Sequence, residues 1–336
     1  MIESMMNRYW PLWSGTIQEG TGGWNNTTHM IKNRERSCVL RFYDTHRDRD
    51  KIAFEHAVLE SIQRRSLSFR IPVLVKTLTG ETIVQLEDGS ERFACLFEYI
   101  EGVSPKDSSA AMAYSFGEVA GELSAILANI DPRVSPAYRP YYELEKSYPV
   151  CTRAVILEFC NNPPEPFNDL TRDLVTLGVA YEEICDVLAG LEELPHQLVH
   201  GDLNVSNLLV HGNNAEQVSA LLDFEFCTLD VRAMEPAVII SGLLGHQEEI
   251  ESVRKFCAGF SSRRCLLPVE VDAIPVLMRL RKMDVFLHFM SRYLKGTDQP
   301  EVLHEQVQSL AKDLSQLELS RTWMEEELIQ LCSQDT

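Results

Sequence analysis

Nowhere in this 336-residue chain is there an apolar run of the roughly 18 residues that a bilayer-crossing helix needs. The first residues, MIESMMNRYWPLW, lack a basic stretch followed by a long apolar one, so no secretory signal is read there. Paired cysteines are missing too. Nine cysteines are scattered without a C-x-x-C spacing, which argues against a disulfide framework and a cysteine-ligated zinc. Read as small apolar side chains in a reducing compartment, they fit a cytoplasmic protein with no membrane association. Basic residues are the third scarcity. Lys and Arg number 31 against 50 Asp and Glu, a net charge of −19, and phosphate backbones need basic surface, so nucleic acid is excluded as a partner. An acidic surface would draw cationic small molecules at encounter, weakly and in a salt-dependent way. There is no internal repeat and no low-complexity segment, and nothing specifies a homo-oligomer.

What is present suffices for a full core and for two lobes around a cleft. Residues 14 to 102 read mainly as strands. THMIKN and SCVLRFYD are β-rich on either side of the turn-like NRER. IPVLVKT, TIVQL and RFACLFEYI follow, the last two joined through Asp88-Gly89, a hairpin turn. Between these groups, residues 48 to 65 change period. Phe54, Ala57, Val58, Ser61 and Ile62 recur at three and four, which predicts a helix. After Gly102 the texture is helical, over about 108–130, 171–190, 232–260, 268–296 and from 300 onward, with NNPPEPFND as a loop. The strand-like LVHGDLNVSNLLV and VSALLDFEF interrupt this half. The reading is an α+β chain, with a β-rich lobe over 1–102 and a larger helical lobe over 103–336.

The interruption carries the chemistry. His200, Asp202, Asn204 and Asn207 stand in an apolar segment, where polar groups cost free energy unless they find partners or do work. His200-Gly201-Asp202 with Asn207 has H-x-D-x-x-x-x-N spacing, which suits phosphoryl transfer. There a carboxylate meets a hydroxyl proton, and a neutral oxygen serves Mg2+, a hard cation. An Asp/Asn-rich turn capping backbone groups is the alternative. Sixteen residues on, LLDFEFC places Asp223 at the head of a D-F-x signature, where a second metal-binding carboxylate is expected.

LPHQLVHGDLNVSNLLV together with VSALLDFEF resembles the aminoglycoside phosphotransferase and choline kinase superfamily, and within it the type II homoserine kinase-like branch. The resemblance runs from about residue 15 to residue 300 and is specific around 196–240. It implies a bilobal protein-kinase-like fold, with a small antiparallel β N-lobe and a larger helical C-lobe. It further implies ATP and Mg2+ in the cleft and a small-molecule hydroxyl acceptor: homoserine-like, an amino alcohol or an aminoglycoside. Under it Asp202 is the catalytic base, His200 supports the loop, and Asn207 and Asp223 hold metal. Gly20, Gly22 and Asn25 fall on a phosphate-covering loop. Arg41 stands where a phosphate-binding lysine is expected, with Glu55 as its acid partner and Glu60 as a weaker candidate. In LFEYIEG, backbone groups from Glu98 to Ile100 would meet adenine. Acceptor specificity is expected from residues 225–300. Asp230 reads as the cap of the helix that DVRAMEPAV begins. Three departures stand out: Asn25 at the third loop glycine, Arg41 for lysine, and Glu225 where protein kinases have glycine. They keep open a second reading, a nucleotide-binding pseudokinase that regulates a protein partner.

Overall fold

The computed structural model describes residues 2–20, 26–45, 48–106 and 109–332. A helix, α1 (Ile2–Tyr9), precedes one antiparallel sheet of β1 (Thr16–Glu19), β2 (Asn26–Lys32), β3 (Ser37–Tyr43), β4 (Val84–Gln85) and β5 (Phe93–Glu98), in the order β1-β2-β3-β5-β4. Period-two alternation decides what each face carries. Cys38, Leu40 and Phe42 of β3 join Ala94 and Leu96 of β5 in a core that Met5, Met6 and Trp10 close over. The Trp10 indole N–H donates to the Val75 carbonyl at 3.0 Å, which anchors the N-terminal segment. Arg41 and Tyr43 point the other way, toward α2 (Arg49–Gln63), whose first turn is capped by the Asp48 carboxylate accepting from Asp50 N–H.

Two strand expectations shrink in the structure. IPVLVKT runs beside β5 but forms no named strand, keeping a bridge from Leu74 to Phe97 and two backbone hydrogen bonds, Val75 N–H to Leu96 and Glu98 N–H to Val73. Pro72 has no N–H to give a ladder. TIVQL contributes only the two residues of β4. The Asp88-Gly89 turn is as expected, with Gly89 at φ +78°.

Beyond the sheet come α3 (Ala110–Leu127), α4 (Leu144–Ser147), α5 (Arg153–Asn161), α6 (Thr171–Cys185), α7 (Leu188–Leu191), α8 (Met234–Leu243), α9 (Glu249–Ser261), α10 (Pro268–Leu294) and α11 (Pro300–Leu328). NNPPEPFND holds a 3-10 stretch, Glu165–Leu170, where its prolines forbid a regular α-helix. Four short strands, β6 (His196–Val199), β7 (Leu208–His211), β8 (Asn214–Leu221) and β9 (Thr228–Val231), pair as β6 with β9 and β7 with β8. The two halves meet at a fixed crossing. Gly102 lies where a Cβ would stand 2.8 Å from that of Leu209, and Val103 and Val210 exchange backbone hydrogen bonds beside it. All nine cysteines are free, and no described helix is long and apolar enough to cross a membrane.

α3 and α9 cross closely because glycine lets them. A Cβ on Gly117 would sit 2.2 Å from the Phe256 carbonyl oxygen, and one on Gly259 would sit 2.1 Å from that of Tyr114. Both obstacles are backbone, so relief requires the helices to part. Gly117→Ala is therefore expected to destabilise by about 1–3 kcal/mol, as overpacking does. Gly242→Ala, at a helical glycine with open space around it, is expected to be neutral or stabilising by under about 1 kcal/mol. Urea denaturation of both variants checks the pair, and equal effects would refute the packing account.

Candidate active site

Antiparallel pairing folds the two motifs onto each other. Because β6 pairs with β9 and β7 with β8, the segment 200–207 lies alongside 222–227. Leu222 N–H donates to the Asn207 carbonyl at 2.8 Å, and the His200 ring meets the Leu222 carbonyl at 3.0 Å. A carbonyl can only accept, so Nε2 carries the proton. Nδ1 is then free to accept from Asp202 N–H at 3.4 Å. Burial lowers the His200 pKa and keeps the ring neutral, which this arrangement requires. Gly201 explains why the motif has glycine between its polar residues. Its φ is +82°, and a Cβ there would stand 2.6 Å from the Phe226 carbonyl oxygen.

Asn207 Nδ2 donates to the Asp202 carbonyl at 2.8 Å and reaches its Oδ2 at 3.4 Å, so Asn207 Oδ1 is the end of the amide left for a cation. Asp223 adopts left-handed backbone, φ 62° and ψ 67°, a geometry Asp tolerates better than most residues. Its Oδ1 is buried without a hydrogen bond, although Arg41 Nη1 stands 3.2 Å away. That contact is charge pairing with poor hydrogen-bond geometry, and it leaves lone pairs unused. The donors are therefore one carboxylate, Asp223, and an amide oxygen, hard ligands that suit Mg2+ completed by phosphate oxygens and water. Among the described residues no three His, Cys, Asp or Glu side chains cluster as a self-sufficient metal cage.

On the sheet's inner face, Arg41 Nη1 donates to Glu55 Oε1 at 3.1 Å, and the Tyr43 hydroxyl donates to Glu55 Oε2 at 2.7 Å. Glu55 is only 2% exposed, so a solvated helix position is ruled out, while Glu60 pairs with Lys76 at the surface. Burial raises the Glu55 pKa, and the Arg41 charge opposes the shift. Glu225 is also brought in. It accepts from Asn26 Nδ2 at 2.6 Å, and burial beside Asp223 pushes it up to about 7.

Gly20 lies at the end of β1, where a Cβ would stand 2.7 Å from the Thr28 carbonyl oxygen; Gly22 and Asn25 fall outside the described residues. In the 98–100 segment, Glu98 N–H donates to Val73 and Tyr99 N–H to Ser37. Ile100 N–H makes no backbone hydrogen bond among the described residues. Asp230 does not cap a helix. It lies in β9 and accepts the backbone N–H groups of Tyr141 and Val231, both at 2.7 Å, while α8 starts only at Met234.

Sequence reasoning missed several residues. Arg281, on α10, places Nη2 2.5 Å from Asp202 Oδ1 and Nη1 3.2 Å from Asp284 Oδ2. Tyr141 donates its hydroxyl to the Gly201 carbonyl at 2.5 Å. Beside Asp202 opens a cavity of about 490 Å³, walled partly by Tyr138, Tyr141, Tyr148 and Phe226. Glu235 accepts the His200 backbone N–H at 2.6 Å from inside the apolar run MEPAVII, which is the one signal that could have found it.

Burial pushes the Glu235 carboxyl up to about 7, opposed by that hydrogen bond. A carboxyl whose folded pKa exceeds its ordinary value stabilises the fold at low pH, and this contribution is lost as pH rises toward 7. Glu235→Gln keeps the acceptor and removes the titration. The variant is expected to lose less stability than the wild type between pH 5 and pH 8, by on the order of 2 kcal/mol. Asp230 and Glu225, also pushed up to about 7, keep some slope in both proteins. Parallel Tm profiles for the two proteins would refute the assignment.

Comparison with known proteins accords with this geometry. The model of the phosphotransferase enzyme family matches residues 16–268. The homoserine kinase of Zymomonas mobilis subsp. mobilis is 24% identical over 269 residues, covering 79% of this chain and 77% of that protein. Among solved structures, a microcompartment-associated aminopropanol kinase superposes with a TM-score of 0.68 at 19% identity, over 97% of this chain and 98% of its own. An amicoumacin kinase in complex with AMP-PNP, Ca2+ and its antibiotic superposes at 0.67 with 14% identity, over 94% of each chain. These likenesses establish the α+β kinase-like fold. With the family match spanning most of its length, the chain belongs to the phosphotransferase enzyme family.

Proposed function

We propose that this chain is an ATP- and Mg2+-dependent kinase that phosphorylates the hydroxyl of a small metabolite, with residues 1–102 holding the nucleotide and 103–336 the acceptor. The observation that carries the reading is convergence. Arg41, Asp202, Asn207 and Asp223 come from three separate stretches of chain, and the hydrogen bonds of 200–207 to 222 lock three of these residues into one wall. Beside them lies a cavity large enough for a small metabolite.

In this reading Asp202 orients the acceptor hydroxyl and takes its proton as the new oxygen–phosphorus bond forms. The bond from the γ-phosphorus to the bridging oxygen breaks, and ADP leaves. Mg2+, held by Asn207 Oδ1 and Asp223, would neutralise charge on the phosphate oxygens. Arg41, fixed by Glu55, supplies the cation for the nucleotide phosphates, and its planar fork suits them as well as lysine would. Homoserine kinases among the relatives and an aminopropanol kinase among the structural neighbours make a hydroxy amino acid or an amino alcohol the first acceptors to try. All the residues the chemistry needs are present, which favours an enzyme over a regulatory pseudokinase.

Asp202→Asn is expected to lower kcat by about 10²- to 10⁴-fold, with Mg2+-ATP binding retained, in an ADP-release assay. Nucleotide binding with no turnover of any alcohol by the wild type would sink the enzyme reading. Arg41→Lys keeps the charge but loses Nη2 and Nε, the donors that neither Glu55 nor Asp223 takes and that are left for phosphate oxygens. It is expected to raise KM for ATP by about tenfold or more while leaving KM for the acceptor unchanged.

A further inference from the structure

This inference rests on the proposed kinase reading and specifies the class of acceptor. The whole chain is strongly acidic, yet the cavity beside Asp202 is not. Four cations line it, Lys51, Arg139, Lys146 and Arg281, against two acids, Asp202 and Asp284. Both acids are already engaged. Asp202 holds Arg281 on one oxygen and faces Asn207 with the other. Asp284 receives the Tyr148 hydroxyl at 2.7 Å and Arg281 at 3.2 Å. No carboxylate is left over for an ammonium group.

The cations differ in how far they are satisfied. Arg139 and Lys146 at the rim both pair with Glu143, at 2.8 and 2.7 Å. Lys51 makes no ion pair with any described residue. Its ammonium lies 3.9 Å above the centre of the Tyr138 ring, partly buried, and desolvation lowers its pKa against the opposing charges of Asp48 and Glu225, neither of which is within ion-pair distance. Arg281 spends one nitrogen on each of its two acids, and a guanidinium has five N–H donors. One unpaired lysine and one arginine with donors to spare therefore face the same cavity as Asp202. A hydrogen-bonded carboxylate is the group that best satisfies both.

We propose that the acceptor bears a carboxylate, bound by Arg281 and by Lys51, which reaches this cavity from the lobe that holds the nucleotide, so that the acceptor's hydroxyl meets Asp202. Hydroxy acids and hydroxy amino acids fit this description. Choline-like and polycationic acceptors do not, despite the net charge of the chain.

Matched pairs test it on the full-length protein. Homoserine and 3-aminopropanol differ by one carboxylate, as do serine and ethanolamine, and 4-hydroxybutyrate has the carboxylate without the amine. ADP release with each, and calorimetric titration of each into nucleotide-free protein, give two independent readouts. The carboxylate member is expected to lead by about thirtyfold or more in kcat/KM, the scale of a lost buried charge pair. Lys51→Met should erase that lead and leave KM for ATP unchanged, and Lys51→Arg should keep it. Equal or better turnover of the amino alcohols would overturn the carboxylate assignment while leaving the kinase reading intact. A Lys51→Met variant altered only in KM for ATP would overturn it by giving the lysine to the nucleotide. Lys51-dependent binding of the hydroxy acids without turnover would uphold the subsite and count against the kinase. Neither binding nor turnover of any hydroxy acid would overturn the subsite.

Discussion

The Arg41 guanidinium sits on the inner face of the sheet, away from bulk water, and stays charged there because Glu55 and Asp223 flank it at 3.1 and 3.2 Å. Desolvation alone would drive its proton off, and the two carboxylates more than offset that effect, so that its pKa is raised. One side chain thereby links three elements: the strand that carries it, the helix that carries Glu55, and the loop that carries Asp223. Removing a partner from such a group costs about 3–5 kcal/mol, because the charge left behind is buried and unpaired. The same arithmetic says the triad is a poor way to gain stability compared with apolar residues. Its worth lies in where it holds a cation.

A second constraint is the set of buried carboxylates around the 200–207 segment. Glu225, Asp230 and Glu235 are each buried and each pushed up to about 7. Each accepts a hydrogen bond that fixes a neighbouring segment: Asn26 of β2, the Tyr141 backbone, and the His200 backbone. The site is thus held by acids that sit at the edge of ionisation near neutral pH. The wall that carries Asp202 is fastened from behind by Glu235 and from the side by Tyr141, whose hydroxyl reaches Gly201.

Much of this was legible because it is local. The alternation in SCVLRFYD puts Arg41 and Tyr43 on one face, and the three-four spacing of Phe54, Val58 and Ile62 marks a buried stripe on the helix that carries Glu55. The spacing from His200 to Asn207 and the following D-F-x signature survive in the structure as two hairpin-like segments laid together. What was not legible depends on contacts across long stretches of chain. Arg281 lies 79 residues from Asp202 in a helix segment, RLRKMD, whose charges look like those of any solvated helix face. Asp230 looked like a helix cap because DVRAMEPAV begins with an acid, yet β6 pairing draws it into a strand and buries it. Gly117 and Gly259 gave no signal that they meet.

This division follows from what each part of the molecule has to do. Phosphoryl transfer asks for a fixed geometry among a few oxygen ligands, and a short tight segment with one obligatory glycine is able to supply it in sequence-local form. Recognition of the acceptor asks only for a shaped cavity of the right charge, and any element facing the cavity can contribute to it. Here the loop around Tyr138 and Tyr141, the first turns of α2 with Lys51, and the middle of α10 with Arg281 all line the cavity. A cavity assembled from such distant pieces can change its charge by one substitution on any of them without disturbing the strand ladder. Net charge, summed over the whole surface, therefore carries little information about what the cavity binds. In this chain the two have opposite signs.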